Sequence, residues 1–314
     1  MKRLQQFGPV VGLVLVFLLF TLLRPHQFPR AANLEIMMLQ TTVVGIAALG
    51  MTAVIISGGI DLSLGSVIAL STVVVATLLN HGWNPLAAAA GGVAVGMVCG
   101  LVSGLLITRL RLAPFIVTLG LWGAWRGTAK GLANEQMIVA PTTWLNQLLT
   151  ALPEERRWML VPPGVWLLVV LAVAMGALLR YTRFGRHVFA IGSNELTARL
   201  CGVPVERQKL LVYLLGSGLA GLAGVLQFSY LTVGDPTTAT GMELDIIAAV
   251  VIGGASLAGG EGTILGSLVG ALIMTVVGNG CTKLEFPNWV QEIVTGGIII
   301  AAVALDRLRH RQQP

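Results

Sequence analysis

Ten apolar segments follow one another along this chain of 314 residues. A helix that crosses a bilayer needs about 20 mostly apolar residues, and lipid favours helices because their backbone groups are satisfied internally. Only 11% of the residues are charged, against about 25% in soluble domains. The sequence therefore predicts an all-α, polytopic membrane protein that forms a single transmembrane domain over residues 1–314. The ten spans are predicted near residues 7–23, 36–56, 62–80, 86–107, 114–131, 162–180, 210–230, 244–258, 262–280 and 288–305.

The distribution of basic residues predicts the orientation. An even number of spans places both termini on one side, and the basic residues at the two ends assign that side to the cytoplasm. The predicted inner segments carry thirteen Lys and Arg and the outer ones five. The inner ones are Lys2, Arg3, Arg109, Arg111, Arg180, Arg183, Arg186, Arg199, Arg207, Lys209, Arg307, Arg309 and Arg311; the outer ones are Arg24, Arg30, Arg156, Arg157 and Lys283. The net charge of +6 therefore reflects topology and not a nucleic-acid surface.

Two spans share a glycine pattern. Gly96, Gly100 and Gly104 lie on one stripe of the fourth span, and Gly262, Gly266 and Gly270 do so in the ninth. If helices 2–5 correspond to helices 7–10, these two spans are equivalent and cross in opposite directions, as in the inverted repeats of transporters. Close packing of small residues would also explain the pattern.

Two glycine-rich segments, 57–65 and 253–262, interrupt the apolar runs. Broken backbone at membrane depth is tolerated only inside protein or beside a cavity, so both are candidates for a gate, although two ordinary tight loops would read the same way. In the fifth span, Arg126 either lines a path with its neighbouring tryptophans or extends its charge outward. The candidate path residues are Ser57, Gly58, Gly59, Asp61, Ser63, Trp122, Trp125, Arg126, Gly253 and Gly254.

The chain lacks the sequence motifs of a nucleotide-hydrolysing site and of a metal centre. No GxxxxGK[ST] phosphate loop occurs, so nucleotide hydrolysis is not predicted on this chain. The four histidines are scattered without HExxH or comparable ligand spacing, and no cofactor or metal is predicted.

The segment 191–204, IGSNELTARLCGVP, predicts one short helix in the long cytoplasmic loop 180–209. Asn194 suits an N-cap and Glu195 a first turn, while Gly202 and Pro204 end the helix after about eight residues. Leu196 and Leu200 share a face. A helix this short is marginal alone, so we expect its apolar face to dock on the protein's own bundle or on a partner.

Several of these segments resemble one family. TRFGRHVFAIGSNELTARLCGVPVERQK, ISGGIDLSLGS, APFIVTLG and TGMELDIIAAVVIGGASLAGGEGTILGSLVGAL are similar to segments of ATP-binding-cassette (ABC) importer permeases of the ribose/xylose type. The resemblance covers nearly the whole chain; residues 132–162 and those after Gly278 match only loosely. It implies the type II importer fold and a bacterial inner-membrane protein that imports a monosaccharide or sugar-like molecule.

The resemblance also implies the partners. They are a second permease subunit, in a homo- or heterodimer, a cytosolic ABC ATPase that holds ATP and Mg²⁺, a periplasmic sugar-binding protein and membrane lipid. The segment around 194 would be the ATPase-coupling element, in which Thr197 stands where the family more often has alanine. Its residues are Gly185, Arg186, Gly192, Asn194, Glu195, Leu196, Ala198, Leu200, Gly202 and Val203.

Two other classes of function stay open from the residues. An ion-coupled secondary transporter fits the inverted glycine pattern, although chains of buried carboxylates for an ion relay are missing. An intramembrane enzyme would require Asp61, Arg126 and Glu243 to converge.

Overall fold

The chain folds into a bundle of α-helices. The computed structural model describes residues 2–153 and 158–311, so Arg156 and Arg157 of the charge pattern lie outside the described residues. The helices in the described part are α1 (Lys2–Leu23), α2 (Ala31–Ile56), α3 (Leu64–Asn80), α4 (Pro85–Arg109), α5 (Pro114–Leu132), α6 (Pro163–Tyr181), α7 (Arg183–Ser193), α8 (Glu195–Leu200), α9 (Val205–Leu231), α10 (Met242–Ile252), α11 (Ile264–Lys283) and α12 (Asn288–Arg311). A 3-10 helix, Trp144–Gln147, and two short strands, β1 (Ile138–Val139) and β2 (Val233–Gly234), complete them.

The all-α prediction is confirmed, and the helices differ in length. Among the described residues, α2, α4, α6, α9 and α11 are long and apolar enough to cross a membrane by length and composition. Shorter apolar stretches occupy Gly8–Leu23, Leu64–Asn80 and Asn288–Ala304. Each predicted span has a helix at its place, and a multi-pass membrane protein follows.

The eighth predicted span, 244–258, is wrong in extent. The helix there, α10, has 11 residues, which at 1.5 Å per residue is about half the thickness of the hydrocarbon core. The chain after it leaves the helix at Gly253, and Gly254 has φ +94°, a conformation that glycine adopts without steric cost. A run that hydropathy reads as one span is therefore a half-length helix followed by a non-helical segment.

The packing between helices is reciprocal. Helix α4 packs on α9 and α11 packs on α2, while α3 packs on α9 and α10 on α2. If α2–α5 correspond to α9–α12, the α4–α9 contact is equivalent to the α11–α2 contact, and the α3–α9 contact to the α10–α2 contact. The inverted repeat predicts this equivalence. The centre is α2, whose second half is almost entirely buried from Thr41 to Ile56, as expected for a helix that is apolar all round.

The two glycine stripes differ in one respect. Gly96, Gly100 and Gly104 lie in α4 against the backbone or side chains of α9, where a Cβ would collide with Tyr213, Ser217, Gly221 or Leu210. In α11, Gly266 and Gly270 press on the α10 backbone and on Gly253. Gly262 lies before the start of α11 with φ +156°, so the expected third member of that stripe belongs to the break instead.

Candidate functional site: the loop helices and the helix breaks

The long loop segment 180–209 contains two helices, α7 and α8. Thr182 caps α7 by accepting the N–H of Gly185 (3.3 Å), and a Cβ on Gly185 would collide with the backbone of Leu179. Asn194 ends α7 and begins α8: its side-chain oxygen accepts the N–H of Thr197 (2.9 Å). The expected N-cap is therefore present. The helix α8 has 6 residues and not eight, and the prediction missed α7.

The end of α8 also follows the sequence signals. Gly202 has φ +81°, the left-handed conformation that glycine favours after a helix. Val203 donates its N–H to the Ala198 carbonyl (3.0 Å). Ala198 is buried together with Ile191 and Val205. The inner face of α8 is thereby fixed against α7 and the start of α9.

The outer face of α8 is apolar and open. Leu196 is 75% exposed and Leu200 is 88% exposed, and they lie four residues apart on one side of the helix. Arg186 is exposed on α7. Within this chain the leucine pair is not buried, so this face is free to contact another molecule.

Charged side chains stabilise this short helix. Glu195 accepts a hydrogen bond from Lys209 Nζ (2.6 Å) and one from Arg199 (3.4 Å), and Arg199 also pairs with Glu206. Partial burial raises the pKa of Glu195, but the hydrogen bonds and charges of Lys209 and Arg199 outweigh it and hold that pKa below its ordinary value.

The segment joins both glycine-rich breaks. A Cβ on Gly192 would collide with the Ile56 carbonyl and the Gly260 amide, and Gly260 donates its N–H to Ile56 O (2.8 Å). Gly259 has φ +88° and lies against Gly192 and Gly58. Backbone from α7, from the end of α2 and from the break after α10 therefore meets at one point, a convergence that the sequence did not predict.

The first break, 57–63, turns inside the bundle. Gly58 has φ +78°, and Gly59 packs so closely on the Tyr213 hydroxyl that a side chain would not fit. The fully buried Asp61 accepts the N–H (2.9 Å) and hydroxyl (2.6 Å) of Ser63 and the hydroxyl of Ser217 (3.3 Å). This carboxylate is bonded within the protein and fixes the turn that starts α3.

A further break, residues 232–241 between α9 and α10, falls between two of the predicted spans, and it is partly buried in the bundle. Asp235 accepts the N–H (2.8 Å) and the hydroxyl (2.7 Å) of Thr237, the same turn that Asp61 forms with Ser63. The Asp-Pro pair at 235–236 marks a turn and is the signal that could have predicted it. The two Asp turns precede α3 and α10, which are equivalent helices in the inverted repeat.

The polar residues of α5 lie against this break. Arg126 is 8% exposed and donates from Nη1 to the carbonyls of Pro236 (3.0 Å) and Thr238 (2.6 Å). Trp122 donates its indole N–H to Glu243 Oε1 (3.0 Å). Arg126 therefore turns into the protein and does not extend its charge outward.

The remaining path candidates lie at the breaks or beside them. Ser57 is buried and donates to Val54 O (2.7 Å). Gly253 presses on Gly266, and Trp125 is half-buried on α5. Arg126 and Glu243 both belong to the cluster around residues 236–243. Asp61 bonds instead to Ser63 and Ser217, so it is held by a different segment from the other two residues of the enzyme hypothesis. In the described part of the chain, no group of three His, Cys, Asp or Glu side chains could hold a metal ion.

A multi-helix membrane bundle with broken helices is the architecture typical of membrane transport proteins. The family model described as the branched-chain amino acid transport system / permease component matches residues 33–303. The ribose import permease protein RbsC of Escherichia coli (strain K12) is 38% identical over 98% of this chain and 95% of its own. RbsC of Bacillus subtilis (strain 168) is 39% identical over 97% of this chain and 93% of its own length. The L-arabinose ABC transporter permease protein AraH of Azospirillum brasilense is 38% identical over 96% and 88%.

The chain therefore belongs to this family of permease components. Its relatives carry names of sugar-importer permeases, and membership identifies a transport subunit and not an enzyme.

Proposed function

We propose that this chain is the membrane-spanning subunit of an ATP-driven importer for a monosaccharide, such as a pentose, hexose or deoxysugar, or for a sugar-like molecule. The observation that carries the proposal is the open leucine pair on α8, in a segment whose backbone contacts two helix breaks. Relatives named for ribose, L-arabinose, D-allose and autoinducer 2 support the substrate class. ATP hydrolysis then resides on a partner.

The loop segment couples the ATPase to the breaks. Leu196 and Leu200 supply the docking contact, and Asn194, Gly202 and the charged network hold them in place. Gly185 and Gly192 allow α7 to lie directly on the backbone of α6 and on the first break, so a displacement of α8 moves the breaks. Ala198 and Val203 pack beneath the helix, and Arg186 adds a charge on the exposed side.

The breaks form the gates of the path. Ser57, Gly58, Gly59, Asp61 and Ser63 lie in the first break. Gly253 and Gly254 lie in the break after α10. Trp122, Trp125 and Arg126 lie on α5, beside the 232–241 break. Alternating access requires backbone that can rearrange without opening lipid-exposed polar groups, and segments that are buried and non-helical meet that requirement.

The proposed assembly places both termini in the cytoplasm, as the distribution of basic residues favours. Four glycines of α5, Gly120, Gly123, Gly127 and Gly131, have open space where a side chain would lie. Small residues allow close helix contact in membranes, which supports a second permease subunit in a homo- or heterodimer. A periplasmic sugar-binding protein would deliver the substrate.

Reconstitution tests the proposal. The chain is placed in liposomes with its ATPase and binding protein, and uptake of D-ribose, L-arabinose and D-allose is measured with ATP and without an ion gradient. We expect uptake of one such sugar that requires both ATP and the ATPase subunit. Uptake that persists without the ATPase, or that collapses with an uncoupler at constant ATP, contradicts the proposal.

A further inference from the structure

One face of α5 is fixed to two different helix breaks. The hydroxyl of Thr118 donates to Ile60 O in the first break (3.2 Å) and shares this proton with Pro114 O (3.0 Å) and Phe115 O (3.4 Å) in the first turn of its own helix. Eight residues later, Arg126 donates to the Pro236 and Thr238 carbonyls in the 232–241 break. Thr118 and Arg126 therefore mark two attachment points on a single helix.

Trp122 stands between them and adds contacts to both broken helices. Its carbonyl accepts the hydroxyl of Ser66 in the first turn of α3 (2.8 Å), and its indole N–H donates to Glu243 in the first turn of α10. Glu243 Oε2 faces Gly65 at the start of α3. The N-terminal turns of α3 and α10 thus meet beside the middle of the α5 face.

The spacing of these residues places all three on one face of α5. Residues 118, 122 and 126 recur every four positions and share one helix face. At 1.5 Å per residue the outer two are about 12 Å apart along the axis. The opposite face carries the four glycines that have open space around them, so the polar stripe is the side by which α5 holds the breaks.

The contacts to the breaks are costly to lose. The carbonyls of Ile60, Pro236 and Thr238 belong to non-helical backbone, where no helical N–H of the next turn satisfies them. Arg126 is buried, and hydrogen bonds from a charged donor are about twice as strong as neutral ones. If one break moved while α5 stayed with the other, buried carbonyls would lose their donors.

We propose that α5 is a connecting rod that makes the 57–63 break and the 232–241 break rearrange together, with Thr118, Trp122 and Arg126 as positioning residues. The proposal rests on the proposed function, because it supplies the step that carries motion from the ATPase-coupled break to the break at the other side. The end of α2, immediately before the first break, touches Gly192 of α7, whereas the 232–241 break lies between α9 and α10. The rod converts a movement at one gate into a movement at the other.

The test compares sugar uptake with ATP hydrolysis in the same liposomes, in the complete complex with the ATPase and binding protein. Thr118→Val removes the donor to Ile60 while it keeps the shape. The matched control is Thr128→Val on the same helix, whose exposed hydroxyl donates to Ala124 O of its own turn (2.9 Å). The second variant, Arg126→Lys, keeps the charge and changes the donor geometry.

We expect Thr118→Val and Arg126→Lys each to lower the sugar transported per ATP about fivefold, the effect of one lost hydrogen bond, with assembly retained. In the double variant, the sugar transported per ATP should fall no further than in the lower single variant, because the loss of either attachment already separates α5 from one of the two breaks. Equal ratios in Thr118→Val, Arg126→Lys and wild type, or an equal loss in Thr128→Val, overturn the rod. Failure of the unmodified complex to drive uptake with ATP overturns the proposed function and the rod together.

Discussion

The contact between Gly192 and the helix breaks can be tested by a single methyl group. In Gly192→Ala the new Cβ meets the Ile56 carbonyl and the Gly260 amide, both of which are backbone and cannot rotate away. Overpacking costs about 1–3 kcal/mol, and separating Gly260 from Ile56 O (2.8 Å) costs about 1 kcal/mol more. We therefore expect a loss of about 2–4 kcal/mol of unfolding free energy.

The assay is thermal unfolding of the purified chain in detergent, followed by ATP-driven uptake in the complete complex. At about 2–4 °C per kcal/mol, the unfolding midpoint should fall by about 4–16 °C, and uptake should fall with it because α7 no longer lies on the breaks.

The matched control for this substitution is Gly176→Ala. Gly176 lies inside α6 with nothing within 4 Å of a new Cβ, and alanine in a helix interior is stabilising relative to glycine. We expect an unchanged or slightly higher midpoint. If the two variants unfold at the same temperature, the close contact at Gly192 does not exist as described, and the link from the loop segment to the breaks is refuted.

Three further results are expected. Leu196→Asp and Leu200→Asp should each abolish co-purification of the ATPase while membrane insertion persists, because each places a charge on the exposed docking face; normal complex formation in both would contradict the coupling role. Because the pKa of Glu195 is lowered in the fold, its stabilisation of α8 is complete above the ordinary carboxyl pKa and is lost as pH falls through the lowered value. Hydrogen exchange of the α8 amides should therefore accelerate only in acid. The corresponding loss of α8 stability should be less than about 1 kcal/mol for so exposed a group, and Glu195→Gln should flatten the pH dependence of the exchange rate. The exposed Cys201 at the end of α8 should react with a membrane-impermeant maleimide in inside-out vesicles only, and the ATPase should protect it; labelling from the periplasmic side would reverse the orientation, with Cys201→Ser as the control.

Features carried by neighbouring residues were predictable. The ends of α8 follow from Asn194 and Gly202, because an N-cap and a left-handed C-terminal glycine act within a few residues. The shared face of Leu196 and Leu200 follows in the same way from their spacing, whereas the exposure of that face is a finding of the structure.

Other features depended on packing across the bundle. Hydropathy does not separate α10 from the residues after it, because a buried non-helical segment is as apolar as a helix. The predicted span 244–258 therefore includes the break at Gly253. The 232–241 segment falls between the predicted spans 210–230 and 244–258, and its partial burial depends on contacts from elsewhere in the bundle: the Thr238 carbonyl is satisfied by Arg126 from a different helix.

The sequence alone determined that this chain spans a membrane with many closely packed helices, and that a short capped helix lies in the long loop 180–209. These properties are sums over consecutive residues, so they need no knowledge of neighbours in space. Only the tertiary structure decided that α7 lies on both glycine-rich breaks, that Asp61 and Asp235 form matching turns, and that one face of α5 joins two breaks. Those contacts depend on how helices far apart in the chain are positioned against one another, which close backbone approach fixes at Gly192 and side-chain hydrogen bonds fix along α5.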